Sequence, residues 1–142
     1  MRCRSEKFNY CMNKIPVFIS FDYEHDLMTK ERLVKEWAQK DCPIWIKDCS
    51  LTEPVTPQRW QTEVAKRMEN VKAVLVICGR NTHSANGVTT EVQMAQQRKL
   101  PVMCLQALQA GSSLPVGVPK DTAMVALDWQ TVAKHLAPLA NR

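Results

Sequence analysis

The sequence predicts a single α/β domain, a five-stranded parallel sheet of order 2-1-3-4-5 with helices on both faces. Three observations predict it. Short, nearly continuous apolar runs such as Ala73–Cys78 (Ala-Val-Leu-Val-Ile-Cys) mark strands covered on both faces. Segments with apolar residues at helical spacing separate these runs. The connections are short, so each strand–helix–strand step reads as a parallel crossover.

The elements follow in order. Residues 1–14 are polar and aperiodic, and predict an N-terminal arm ahead of a domain spanning 15–142; Met12, just before the first strand, is an alternative start. Ile15 to Phe21 is a buried strand. Leu27, Leu33, Val34, Trp37 and Ala38 then share one helical face. Pro43 to Lys47 reads as the second strand. Thr56-Pro57 starts the second helix, a cap residue followed by proline at the first helical position. Trp60, Val64, Met68 and Val71 form its apolar stripe. The third strand, Ala73–Cys78, leads into a polar loop over 79–87. Glu91 then opens the third helix, with Thr90 and Gln93 spaced for a capping box. Val102 to Leu105 is the fourth strand. Residues 107–121, with Gly111, Pro115, Gly117 and Pro119, form a loop before a short fifth strand, Ala123 to Leu127. Asp128 caps a last helix with Trp129, Val132, Ala133, Leu136 and Leu139 on one face. The predicted arrangement is flavodoxin-like, without internal repeat or second domain.

Composition narrows the function. Hydrophobic residues make up 45% of the 142, enough for a packed core. No apolar run approaches the ~20 residues a membrane helix needs. The basic stretch Met1–Lys7 has no apolar segment after it, so no signal peptide is expected, and the chain reads as cytoplasmic. The net charge of +5 is spread over presumed helix faces; it attracts polyanions, dinucleotides among them, but no nucleic-acid motif accompanies it. The six cysteines include no Cys-x-x-Cys pair, and Cys42 and Cys49 flank one strand, roughly 20 Å apart. Free thiols and no metal are expected.

In open α/β sheets ligands bind outside the carboxyl ends of the strands, where strand order reverses. That rule gathers Ser20, Phe21, Asp22 and Tyr23 beside the 79–87 loop, with His83, Ser84 and Glu91, and brings Asp48 from the second strand to the same edge. Several chemistries are excluded. The sequence has no Gly-x-x-x-x-Gly-Lys-Ser/Thr loop, no Gly-x-Gly-x-x-Gly and no Gly-x-Ser-x-Gly elbow. A phosphoacceptor receiver of this fold would end its third strand in aspartate, and this chain has Cys78-Gly79. An acidic, hydroxyl-rich and aromatic crevice instead suits breaking a nicotinamide–ribose bond. The leaving group is already cationic, so no strong acid is needed, and an ionised carboxylate stabilises the oxocarbenium-like transition state. A first-turn glutamate is expected to stay ionised through the helix dipole.

Two segments strengthen this reading. Val17-Phe18-Ile19-Ser20-Phe21-Asp22-Tyr23-Glu24-His25-Asp26 resembles the first box of TIR domains. Val74–Cys78 followed by Ser84, Glu91 and Ala95 resembles their third strand and glutamate helix. Together, over residues 15 to about 106, they resemble the bacterial TIR-like proteins of the Thoeris antiphage system. The resemblance implies that Glu91 is the catalytic glutamate and that Phe21 and Asp22 approach the nucleotide. It implies NAD as substrate with no cofactor, cleavage to ADP-ribose, and a cyclic or conjugated signal for a downstream effector. It also allows a phage protein as trigger and a homo-oligomer. Many TIR domains carry tryptophan four residues before the glutamate, where this chain has Gly87. The segment Gly87-Val88-Thr89-Thr90-Glu91-Val92 also resembles nucleoside 2-deoxyribosyltransferases, which likewise break an N-glycosidic bond. A non-catalytic TIR-like interaction module is the remaining alternative.

Overall fold

A computed structural model of the protein describes residues 14–51 and 56–139; apart from Lys14, the expected arm lies outside the described residues. The elements run β1 (Ile15–Ser20), α1 (Tyr23–Trp37), β2 (Ile44–Cys49), α2 (Pro57–Arg67), β3 (Ala73–Cys78), a 3-10 turn (Thr82–Ser84), α3 (Asn86–Gln97), β4 (Val102–Gln106), β5 (Val125–Ala126), α4 (Trp129–Leu136) and a second 3-10 turn (Ala137–Leu139). All strand pairs are parallel, and the order is β2-β1-β3-β4-β5, as the sequence predicts for a flavodoxin-like sheet.

Strand alternation splits the core in two. Val17 and Ile19 of β1, with Leu75 and Ile77 of β3, face Leu33 and Trp37 of α1 and Val132 and Leu136 of α4. Phe18, Val74 and Val76 point the other way, onto Val64 of α2 and Val88, Val92 and Ala95 of α3. Helices on both faces explain why β3 is apolar at every position: all six of its residues are buried. Each buried aliphatic side chain contributes about 1.5–3 kcal/mol relative to exposure.

Some boundaries differ from the sequence reading. The inward stripe of α1 is Asp26, Lys30, Leu33 and Trp37, so Val34, one position off the stripe, is 37% exposed and Ala38 is only the C-cap. The stripe is polar at its sheet-edge end, which hid its phase. β2 extends to Cys49, two residues past Lys47, and β5 keeps only two residues. α3 begins at Asn86, five residues before Glu91, and the expected capping box is absent. Instead the Thr90 hydroxyl donates to the carbonyl of Asn86 one turn back, at 3.1 Å.

Helix ends elsewhere follow capping chemistry. Thr56 accepts from the Arg59 amide ahead of Pro57, and Asp128 accepts from the amide and hydroxyl of Thr131. α3 closes with a Schellman motif: Leu100 N donates to Ala95 O, and Lys99 N to Gln96 O. Its left-handed position, φ 59°, is held by Lys99 where glycine is usual.

The four cysteines among the described residues, Cys42, Cys49, Cys78 and Cys104, are free thiols. Among the described residues no helix is long and apolar enough to cross a membrane. From β1 the chain crosses to β2 over one face, through α1; from β3 it crosses to β4 over the other, through α3. The carboxyl ends of β1 and β3 therefore flank the switch point.

Candidate active site

A cavity of about 430 Å³ opens at this switch point. The β1–α1 junction supplies one wall, Phe21 to His25. Ser50 and Leu51, just past β2, supply another. Trp60 of α2 and the start of α3, with Gly87, Val88 and Glu91, complete it.

Glu91 lies in the second turn of α3 and is 1% exposed. The hydroxyls of Ser20 and Ser50 each donate to its Oε1 at 2.6 Å. Oε2 accepts no hydrogen bond among the described residues. Burial pushes the Glu91 carboxyl up to about 7, against the pull of the two serine hydroxyls and the charge of Arg67. This corrects the expectation of a dipole-ionised first-turn glutamate. Glu91 is too far into the helix to profit from its end, and desolvation dominates.

Ser50 is a junction. Its hydroxyl accepts from the Phe21 amide at 3.0 Å while donating to Glu91, and its own amide donates to Ile19 O at 2.9 Å. One side chain thus ties β1, the end of β2 and α3 together.

At the opposite wall Asp22 is the N-cap of α1. Its Oδ1 accepts from the Glu24 amide at 3.1 Å, and its Oδ2 lies 2.7 Å from Nδ1 of His25. The hydrogen bond to Asp22 holds the His25 imidazole above its ordinary pKa; partial burial opposes this, and the charges of Asp22, Glu24 and Asp26 add to it.

The residues expected at this crevice divide. Ser20, Phe21, Asp22, Tyr23, Ser84 and Glu91 converge on it, Ser20 through its bond to Glu91 and the others as lining. Phe21, 3% exposed, belongs to the core on the α1 face, so it forms a wall and does not protrude. Tyr23, 48% exposed, stands at the rim. The Ser84 hydroxyl donates back to Asn81 O at 3.1 Å. Asp48 and His83 lie outside the cavity lining. Asp48 is inside β2 and pairs with Arg67 of α2 at 3.2 Å. The His83 amide donates to the Ser113 hydroxyl, and its Nδ1 lies 3.0 Å from the same oxygen, fastening the 107–121 loop to the end of β3.

Of the cavity residues that escaped the sequence reading, three carry chemistry the site can use. Ser50 follows from the same edge rule once β2 is carried to Cys49. His25 sits within the quoted first segment, one turn from Asp22. Trp60 counts as core in its stripe, yet its indole reaches Gly87: a Cβ built at Gly87 would stand 3.8 Å from it. The aromatic surface missing at position 87 is thus present in the cavity, contributed by α2.

A parallel 2-1-3-4-5 sheet with a buried glutamate at the switch-point crevice is the arrangement expected of a TIR-like domain. The family described as Thoeris protein ThsB, TIR-like domain, matches residues 18–111, from β1 through the loop after β4, and the chain belongs to that family. No curated protein matches the chain.

Proposed function

We propose that the protein cleaves the nicotinamide–ribose bond of NAD and passes the ADP-ribosyl group into a cyclic or conjugated nucleotide. That product would signal to an effector in antiphage defence, in the cytoplasm. The observation that carries the reading is the Glu91 carboxyl in the cavity wall, gripped on one oxygen by two serine hydroxyls. Membership of the Thoeris family supports the defence context.

The chemistry follows from the wall. Nicotinamide leaves as a neutral molecule, taking the electron pair of the C1′–N bond, so no proton need be supplied to it. Positive charge develops on the ribose, and an ionised carboxylate nearby lowers that barrier. With a pKa of about 7, Glu91 is partly protonated at neutral pH before NAD binds. The cationic nicotinamide ring of NAD favours its ionised form by direct attraction. The serines fix Oε1, so Oε2 is the oxygen offered to a ribose hydroxyl. Trp60 and Tyr23 give the planar rings a surface on which to pack.

The test is product analysis. The protein is incubated with NAD and, separately, with deoxynucleosides, with and without extract of phage-infected cells, and products are read by mass spectrometry. Expected are nicotinamide and an ADP-ribose derivative from NAD, both lost in Glu91→Gln. Base exchange on deoxynucleosides without NAD cleavage would move the assignment to the deoxyribosyltransferase alternative. Filtrates that activate an effector only when Glu91 is intact would separate a diffusible signal from a contact-borne one.

A further inference from the structure

We propose that His25, oriented by Asp22, is a second catalytic residue: the base that takes the proton of the hydroxyl capturing the ADP-ribosyl group. The proposal rests on the NAD reading above and adds the half of the reaction that Glu91 does not serve.

Bond cleavage and capture make different demands. Departure of nicotinamide moves no proton. Capture by a hydroxyl group forms a C1′–O bond from an oxygen lone pair, and the O–H proton must go elsewhere. Glu91 is poorly placed to take it, since Ser20 and Ser50 occupy Oε1, Oε2 is engaged by a ribose hydroxyl, and the carboxylate charge is needed for the developing cation. The cavity offers another acceptor. The 2.7 Å contact between His25 Nδ1 and Asp22 Oδ2 fixes the ring and leaves Nε2 as its free nitrogen. Asp22 is itself fixed, because its other oxygen caps α1. Half of the His25 side chain is exposed, so a proton received there can pass to solvent.

A structural role explains this histidine less well. The cap is complete with Asp22 and the Glu24 amide. An imidazolium in the first turn of a helix faces the positive end of the macrodipole, which disfavours it. The carboxylate–imidazole pair instead has the usual form of an oriented base. The charged groups around it are Asp22, Glu24 and Asp26 of its own helix and Glu91 of α3; among the described residues, β2 and α2 place no charged side chain in the cavity wall.

Isotope exchange tests this directly. Labelled nicotinamide can recapture the ADP-ribosyl group through its ring nitrogen and regenerate NAD without any proton transfer. Hydroxyl capture gives net product and needs the base. The ratio of net product to exchange therefore isolates the base, and it cancels Glu91, which acts before the two arms divide. His25→Asn should lower that ratio by on the order of 10²-fold. In the wild type the ratio should rise with pH as the imidazole, whose pKa is raised, loses its proton. Asp22→Asn keeps a capping oxygen and removes the charge, so it should move that rise to lower pH. Exchange and net product falling together in His25→Asn would overturn the proposal and leave NAD cleavage standing. A wild-type protein that releases no nicotinamide, even with infected-cell extract, would overturn both.

Discussion

Glu91 and Asp26 are both carboxylic acids buried near the carboxyl edge of the sheet, 1% and 7% exposed, yet their surroundings differ. Glu91 has two hydroxyl donors on one oxygen and a cavity beside it. Asp26 has a buried Oδ2 with no hydrogen-bond partner among the described residues, and it is not part of the lining of that cavity. It interrupts α1, with φ −117° and ψ 15°, and presses against the end of β3. Burial pushes both groups up, and for Asp26 the Asp22 charge adds to it. Burial and a perturbed pKa therefore do not by themselves mark a site. What distinguishes Glu91 is that its surroundings both donate hydrogen bonds to its carboxylate and admit a ligand.

The largest expected contrast is catalytic. Glu91→Gln should lower nicotinamide release by about 10³-fold or more, the scale set by losing one preorganised electrostatic contact to the transition state. Asp26→Asn should stay within a few fold of wild type. Equal losses in the two variants, measured in folded protein, would erase the distinction.

The next contrast is in stability against pH. The folded-state pKa of Glu91, about 7, lies above its ordinary 4.5, so the folded state binds the proton more tightly than the unfolded state. Stability from this group is therefore fully present below pH 4.5 and falls as pH rises toward 7, by on the order of 3 kcal/mol in total. Glu91→Gln keeps an oxygen for the serines and should remove that fall, raising the denaturation midpoint at pH 8 far more than at pH 4.5. Parallel wild-type and variant curves would show that Glu91 is ionised at little cost.

Gly79 probes the Asp26 side. A Cβ there would stand 2.3 Å from Asp26 Oδ1, so the carboxyl must move. Gly79→Ala should destabilise by about 1–3 kcal/mol, and the shorter Asp26→Ser in the same chain should recover part of it. Additive losses would mean that the two do not press on each other. The smallest effect serves as a control far from both acids. Lys99→Gly places glycine at a left-handed position and should stabilise by about 0.5–1 kcal/mol in thermal unfolding, with no change in pH dependence.

The fold was legible because its signals are redundant. A wholly apolar β3, a Thr56-Pro57 helix start and an Asp128 cap each say the same thing in different chemistry. The site was legible where it follows the strand-end rule: Ser20 and Glu91 are where that rule puts them. It failed where the boundary signal is missing. α3 starts after Ala85, which offers no side-chain cap, so Asn86-Gly87 reads as the end of the loop and Glu91 as the helix start. β2 runs on through Asp48-Cys49, past the charged Lys47 at which the sequence reading ends it, and so Asp48 displaced Ser50 from the reading. His83 is polar and close in sequence to Ser84, but only the packing of the 107–121 loop shows that it turns to Ser113.

The hydroxyls that grip Glu91 come from residues 71 and 41 positions earlier in the chain. That separation has a temporal consequence during synthesis. A nascent chain that has emerged as far as α2 holds both serines but no carboxylate. Even once Glu91 leaves the ribosome, α3 must dock on β3 and β4 before the three residues meet, and parallel pairings of this kind close slowly. Prematurely terminated chains and partly folded ones therefore lack the assembled cluster of Ser20, Ser50 and Glu91, which forms in a single late step.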